Sequence, residues 1–411
     1  MNKRFISLHK TICASLGVVA ITALGQTLPP FSSQDTKYLP VTLSVFLNEL
    51  KEKNTNLRAR KLTTDSATNI AKQAGMPNLN PIITYARGSI YTQAPYTGYT
   101  NPASNTLGAT VTVEGWGKRS AREAQAQAEA NKQLADMVAE TRTIETQAIF
   151  NYIDALRTKL LWQSYQEAIN GINGLKLAGA APYKSEFISA QKVLANDLKY
   201  YSYGLIGMLN NPDQQLLLPI GSLNIPPKNF VVNDLILHAQ ENRSDIASNK
   251  AAVDSAAANL ESVKASKNVD FLPGVFYTET PSYASSGVGY GSQKSFSFLL
   301  SIPLGNGFLN DSDMLAATNN IAEQEVNLSS TKTKIAIEIN QTYLQYQSAK
   351  DRLETAISAY NLAKTSKNSN LQGLLKFRDA EYELIDARTV HAKTLILLER
   401  LSGNFEPPNL H

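Results

Sequence analysis

Few residues in this chain of 411 are of types that do chemistry, and their spacing does not suit it. Of the four histidines, His9, His238, His391 and His411, no two stand one helical turn apart, the spacing that lets a helix present two metal ligands on one face. His391 falls on an apolar helical stripe and is read as a packed side chain. Asp311-Ser312-Asp313 brings two carboxylates together, which suggests a metal pair. The same residues suit the start of a helix, where carboxylates cap free N–H groups and meet the positive end of the dipole, and that reading is adopted. Gly117-Lys118 lacks the spaced upstream glycine and the following Ser or Thr of a phosphate loop. Gly287-Val288-Gly289-Tyr290-Gly291 has the look of a potassium filter, but such a filter needs flanking membrane helices. Here it falls between two strand-like segments and is read as an external loop. No catalytic residue, metal or cofactor is expected.

The chain is organised around two long rods. From Lys118 to Ala178 there is no proline, and the only glycines are Gly171 and Gly174, near the end. Ala, Gln, Glu, Lys, Leu and Arg dominate, residues that lose little rotamer freedom on coiling. A helix of that length measures about 90 Å at 1.5 Å per residue, far more than a globular domain uses. A second rod of like composition runs from Asp311 to about Asn370.

The first residues carry Lys3, Arg4 and Lys10, an apolar run from Thr11 to Thr22, and Ala23-Leu24-Gly25 before Gln26. That is the pattern of an export leader, 1–25, since about twelve apolar residues are too few to cross a bilayer. The single cysteine, Cys13, lies inside it, so the exported chain has neither disulfides nor thiolate metal sites. The net charge of +4 includes three leader cations, leaving a nearly neutral chain without the basic stripe of a nucleic-acid binder. No later apolar run is long enough for a membrane helix, so entry into a bilayer requires a closed β-barrel.

Along the chain, a helical stretch from Leu43 to about Gly75 leads to a strand at Ile82–Tyr91 and a second at Thr106–Glu114. In the second, Leu107, Ala109, Val111 and Val113 alternate with Thr106, Gly108, Thr110 and Thr112, as a strand between lipid and water should. A strand half-buried in a soluble sheet shows the same pattern. Gly115-Trp116-Gly117 enters the first rod; a turn at Gly179–Pro182 ends it, and a shorter helix returns over 185–209. Residues 216–229, with Pro219, Pro226 and Pro227, read as a linker. The plan then repeats with an offset of about 190 positions. Ile82–Tyr91 answers Phe271–Thr280, Thr106–Glu114 answers Ser295–Pro303, and Phe187, Ala190 and Leu194 answer Phe377, Ala380 and Leu384. In the last strand Phe296, Phe298, Leu300 and Ile302 alternate with serines, and a return helix over 376–402 closes the second half. The division is thus 26–215 for the first repeat, 230–403 for the second and 404–411 for a tail.

Val111-Thr112-Val113-Glu114-Gly115-Trp116-Gly117 and Leu300-Ser301-Ile302-Pro303-Leu304-Gly305-Asn306-Gly307 resemble the strand-to-helix junctions of the TolC-like outer-membrane efflux family. Gln372-Gly373-Leu374-Leu375-Lys376-Phe377-Arg378-Asp379 is similar to that family's tip turn. At the first tip Gly179-Ala180-Ala181-Pro182 lacks the Gly-Leu, and Ser189 stands where the aspartate is expected. The resemblance covers about Leu43 to Gly403. It implies a mainly α chain with a small β part and four strands per chain. Three chains would form a twelve-stranded outer-membrane barrel continued by a periplasmic coiled-coil tube, since four strands cannot enclose an interior alone. It further implies a homotrimer that catalyses nothing. This would be the exit duct of a tripartite efflux or type I secretion system, working with a periplasmic adaptor and an inner-membrane pump.

On that resemblance the adaptor-contact tips comprise Gly179, Phe187 and Ala190 in the first repeat, and Gly373, Leu374, Leu375, Phe377, Asp379 and Ala380 in the second. Leu107, Val111, Val113, Phe296, Phe298, Leu300 and Ile302 would face lipid. Tyr91, Tyr96, Tyr99, Tyr283 and Tyr290 would belong to an aromatic girdle. A reading from another class stays open: an exported coiled-coil scaffold without a pore, whose strands form a small soluble sheet.

The last turns of the second rod, Lys364-Thr365-Ser366-Lys367-Asn368-Ser369-Asn370, contain no carboxylate. Lys364 or Lys367 facing the lumen would favour anions; if both face outer water, the entrance is neutral. Single-channel recordings in asymmetric salt are expected to show no strong cation preference, and a strongly cation-selective reversal potential would refute this.

Overall fold

The computed structural model describes residues 38–89, 103–175, 180–212, 214–281, 283–285, 288–303, 311–367, 370–408 and 410. The leader, Gly179, Tyr91, Tyr96, Tyr99 and 304–310 of the second junction lie outside the described residues, as do the side chains of Tyr283 and Tyr290. The chain begins with β1 (Leu39–Thr42), α1 (Leu43–Lys53), α2 (Thr55–Ala74), β2 (Ile82–Ser89), β3 (Ala103–Thr110), α3 (Lys118–Leu175) and α4 (Ala181–Leu209). It continues with β4 (Leu217–Ile220), α5 (Val232–Asn242), α6 (Ser244–Ser266), β5 (Leu272–Thr280), β6 (Tyr283–Ser285), β7 (Val288–Tyr290), β8 (Gln293–Ser301), α7 (Ser312–Ser366) and α8 (Leu371–Leu401). The two rods are real: α3 has 58 residues and α7 has 55. Among the described residues no helix is long and apolar enough to cross a membrane.

Several expected boundaries move, each for a local reason. The stretch Leu43–Gly75 is two helices, because Asn54 is extended and its side chain accepts from the N–H groups of Asn56 and Leu57, capping α2. An extended Arg243 divides α5 from α6, here without a side-chain cap bond. The first return helix starts at Ala181, not 185, since Pro182 occupies its first turn, where a missing N–H costs nothing. The second starts at Leu371, not 376, with Asn370 as its cap through a 2.8 Å bond from Gly373 N–H. Gly373, Leu374 and Leu375 are therefore helical rather than turn residues. A Cβ at Gly373 would stand 2.1 Å from the Ser366 carbonyl oxygen, so the chain reverses here only with glycine. Part of the expected linker is β4, which pairs in parallel with β1, an element not expected at all. Asp311 stands at the start of α7 but makes no side-chain cap bond; it pairs with Lys267 instead.

The four long strands form one antiparallel sheet in the order β2-β3-β5-β8. β3 ends at Thr110 and not at Glu114. Opposite Val111 stands Pro273, which accepts from the Val111 N–H at 3.1 Å but has no N–H to return, and only the Val113–Phe271 bridge follows. In the helical part α3 packs on α2, α4, α6 and α8, and α7 packs on α5, α6 and α8. Each rod carries a tyrosine at the same place counted from its first residue. Tyr152 of α3 accepts from the Ile220 N–H at 3.0 Å and reaches the carbonyls of Ile220 and Val41. Tyr346 of α7 binds both backbone groups of Lys228. Burial pushes the Tyr152 hydroxyl up to about 12, so it stays a donor at any physiological pH.

His391 is fully buried on α8 against Tyr346, ring centroids 5.5 Å apart, and neither ring nitrogen has a hydrogen-bond partner among the described residues. Burial, with Lys350 nearby, holds its pKa below the usual histidine range. Below about pH 6.5 the unfolded chain takes up a proton that the folded chain refuses, so stability falls as pH drops from that point to the folded pKa. Thermal melting followed by circular dichroism is expected at a lower temperature at pH 5 than at pH 7.5, with a smaller difference in His391→Leu.

Candidate functional site

Three places bear on function: the tips of the helical hairpins, the junction between sheet and rods, and the outer face of the sheet. At the tips, Phe187 of α4 and Leu374 of α8 are buried together with Ala168, Ile169 and Ile172 of α3 and Ala180. The two hairpin ends of one chain thus share a small core. Phe377 is buried beside Tyr360, ring centroids 5.3 Å apart, with the Lys367 ammonium 4.2 Å from its centroid. Lys367 also lies 3.5 Å from Glu167, while Lys364 is exposed. Ala190 and Ala380 are half-buried and Asp379 is exposed. Of the expected tip residues, then, Phe187, Gly373, Leu374 and Phe377 hold the tip together, while Asp379 is presented outward.

The residue that ties this tip together was not singled out from the sequence. The guanidinium of Arg378 lies 4.9 Å from the Phe187 ring centroid and 5.2 Å from that of Tyr165. It donates to the Tyr165 hydroxyl at 2.9 Å and pairs with Asp379 at 2.7 Å. The cation lies against both rings, which themselves meet edge to face with centroids 5.6 Å apart, and so joins α8 to both α3 and α4. Further along, Asp386 of α8 accepts from Arg157 of α3 at 2.7 Å and from Arg352 of α7 at 2.8 Å. Lys393 reaches Asp154 at 2.6 Å, and the Ser164 hydroxyl donates to Glu381. These contacts form a polar ladder between α8 and the two rods.

At the junction, Lys118 donates to Asp270 at 2.9 Å and Gly115 N–H to the same oxygen at 2.8 Å. Arg122 pairs with Glu114 and, with Arg119, donates to the last carbonyls of α2. A Cβ at Gly115 would stand 2.4 Å from the Val269 carbonyl oxygen, so glycine allows the two halves of the chain to meet backbone to backbone. No cluster of three or more potential metal ligands exists among the described residues.

The sheet register sorts the outer face into rows. One row is Tyr85, Leu107, Tyr277 and Phe296; the next is Ile83, Ala109, Val275 and Phe298; below them come Val111, Pro273 and Leu300, then Val113 with Phe271. Of the seven residues expected to face lipid, Leu107, Val111, Val113, Phe296, Phe298 and Leu300 lie in these rows, and Ile302 lies beyond the end of β8. Phe298 is 85% exposed and Phe296 74%, values that no water-soluble core strand shows. Above the apolar rows lies a polar one, Arg87, Asn105, Glu279 and Lys294. Aromatic side chains stand directly beneath it: Tyr277 and Phe296 are in contact at 5.1 Å, with Tyr85 in the same row. Sequence reasoning looked for a girdle among loop tyrosines; these two strand tyrosines were legible only once the register was known. The opposite face carries Thr106 bonded to Thr278, with Ser295, Ser297 and Ser301.

No protein-family model and no curated protein matches the sequence. Solved structures do match the fold. The outer membrane protein VceC of Vibrio cholerae aligns over 89% of this chain and 97% of its own at 15% identity and a TM-score of 0.59. The MtrE outer membrane channel of Neisseria gonorrhoeae, in its open state, aligns over 89% of each chain at 17% identity and 0.57. The CmeC outer membrane channel of Campylobacter jejuni aligns over 88% of this chain and 85% of its own at 12% identity and 0.62. This chain has the TolC-like outer-membrane channel fold. Within that fold the Arg378 cluster and the α8 ladder belong to the helical hairpins, and the rows of exposed apolar residues to the sheet.

Arg378→Ala removes both ring contacts and the Tyr165 bond and is expected to make the segment 371–380 markedly more sensitive to limited proteolysis. Arg378→Lys keeps the charge without the planar stack and should recover only part of the protection.

Proposed function

We propose that three copies of this chain join their sheets edge to edge into a twelve-stranded barrel in the outer membrane. The rods would continue it through the periplasm as the exit duct of a tripartite efflux or secretion system. The observation that carries the reading is the sheet itself. β2 and β8 each pair on one side only among the described strands, and one face leaves Ile83, Leu107, Val275, Phe296, Phe298 and Leu300 exposed. Unpaired edges and an uncovered apolar face are both costly in water. A head-to-tail ring pairs every edge, and lipid covers the face. The scaffold reading needs that face packed on protein, and its exposure within the chain weighs against it.

The duct catalyses nothing in this reading. The small polar side chains of the inner face line a water-filled path, and direction and energy come from an inner-membrane pump reached through a periplasmic adaptor. Since Phe187, Leu374 and Phe377 are buried at the tip, the adaptor meets the exposed positions around them, Gln372, Lys376 and Asp379. Opening requires the hairpin tips to part, and the Arg378 ring contacts and the Asp386 clamp resist it.

Tethering the tips tests this. A cysteine at Gly373 would clash, so the exposed Gln372 is the better position. With Cys13 lost with the leader, Gln372→Cys provides the only thiol. A reducible bifunctional thiol reagent is expected to hold the conductance in planar bilayers at its closed level, and reductant to restore it. Conductance unchanged by the tether would count against the reading.

A further inference from the structure

At the lower end of the sheet lies a groove of about 680 Å³ that the duct reading leaves without a role. Its walls are mostly apolar, with Leu79, Val113, Phe271, Pro273 and Leu300, and Trp116 and Arg119 line it too; among its polar lining, Glu114 is already paired with Arg122. Val113, Phe271, Pro273 and Leu300 belong to the outward rows of the sheet, so the groove continues the apolar face downward. From Asn105 in the polar row to Val113 the strand climbs about 27 Å at 3.4 Å per residue, close to one apolar band once the strand tilt is allowed for. Trp116 therefore sits where the lower face of the bilayer should be.

The groove is built at its polar end too. Trp116 is 84% exposed, yet its backbone is held: the Asn268 side chain donates to the Trp116 carbonyl at 2.6 Å, and Gly115 N–H is fixed on Asp270. An indole kept outward by such bonds is an interfacial anchor rather than a loosely placed side chain. Of the three cations that open α3, Lys118 is paired with Asp270 and Arg122 with Glu114. Arg119 donates through Nε to the Gly75 carbonyl at 2.6 Å and has no acidic partner among the described residues. The N-terminus of the 58-residue α3 adds its partial positive charge at the same place. One uncommitted cation, an interfacial indole and an apolar trough meet within a single groove.

We propose that this groove seats one glycerophospholipid of the periplasmic leaflet. An acyl chain lies along Val113, Phe271 and Leu300, the phosphodiester faces Arg119, and the indole of Trp116 stands at glycerol depth. The proposal rests on the outer-membrane reading above. It adds a stoichiometric lipid to that reading, pinning the lower rim of the barrel to the membrane while the tips move.

The test uses the full trimer in detergent, in a Trp162→Phe background that leaves Trp116 as the only tryptophan. Phosphatidylglycerol with brominated acyl chains is titrated in at sub-micellar ratios, and Trp116 fluorescence is followed. Quenching that saturates near one lipid per chain is expected, with Arg119→Glu weakening it about tenfold. Leu79→Trp, which fills the trough, should displace the lipid and release phospholipid otherwise retained in native mass spectra. Quenching that rises linearly with lipid and ignores Arg119→Glu would overturn the proposal in favour of an unspecific annulus. Absence of quenching in an intact trimer would overturn it too, showing the groove filled by protein. Failure of the membrane reading itself would show earlier, as a wild-type chain that is monomeric in water before any lipid is added.

Discussion

Among the described residues the four-stranded sheet has two unpaired edges and one face of exposed apolar side chains, and both call for cover. That requirement explains features which look unrelated in isolation. The opposite face is mixed: Thr84, Thr106, Thr110, Thr278, Ser295, Ser297 and Ser301 share it with Ile82, Phe276 and Leu299. A charged row closes the apolar band at one end, and the cationic start of α3 closes it at the other. Pro273 ends the regular pairing of β3 where the sheet gives way to rods.

The helical part solves a different problem, which is how to keep very long helices in register with little continuous core. Buried apolar clusters occur as separate islands along the rods rather than as one core. Polar contacts occupy the intervals. Asp386 between Arg157 and Arg352, Lys393 on Asp154, and the two tyrosines each fix one point of a rod against a neighbour. Such bonds are directional, so they set axial register in a way that apolar packing cannot. Phe187, Leu374 and Arg378 make the tip an island of its own, separable from the rest.

Much of this was legible in the residues. The absence of proline over 118–175 and the helix-forming composition announced α3 to within a few positions, and the period-two pattern of Leu107–Val113 and Phe296–Leu300 placed the apolar residues on one side. Misjudged boundaries clustered where one residue has two uses. Pro182 and Gly373 both look like turn residues, yet each is tolerated, or needed, in the first turn of a helix. Asn54 looks like any polar residue on a helix until its carbonyl is seen to accept two N–H groups. β1 and β4 went unseen because strands of four residues, each with a proline inside, carry too little pattern to stand out.

Periodicity and composition, then, were enough to determine which stretches are rods and strands, and which strand face is apolar, because those properties come from residues close together along the chain. The partners of Arg378, of Asp386 and of Trp116 were decided by tertiary structure alone. Arg157 and Asp386 are 229 positions apart, and no local pattern relates them. Their meeting depends on how α3 and α8 align, and the girdle of Tyr85 and Tyr277 on how β3 pairs with each neighbour. Register is a sum of many weak contacts over the whole chain, so only the folded arrangement contains it.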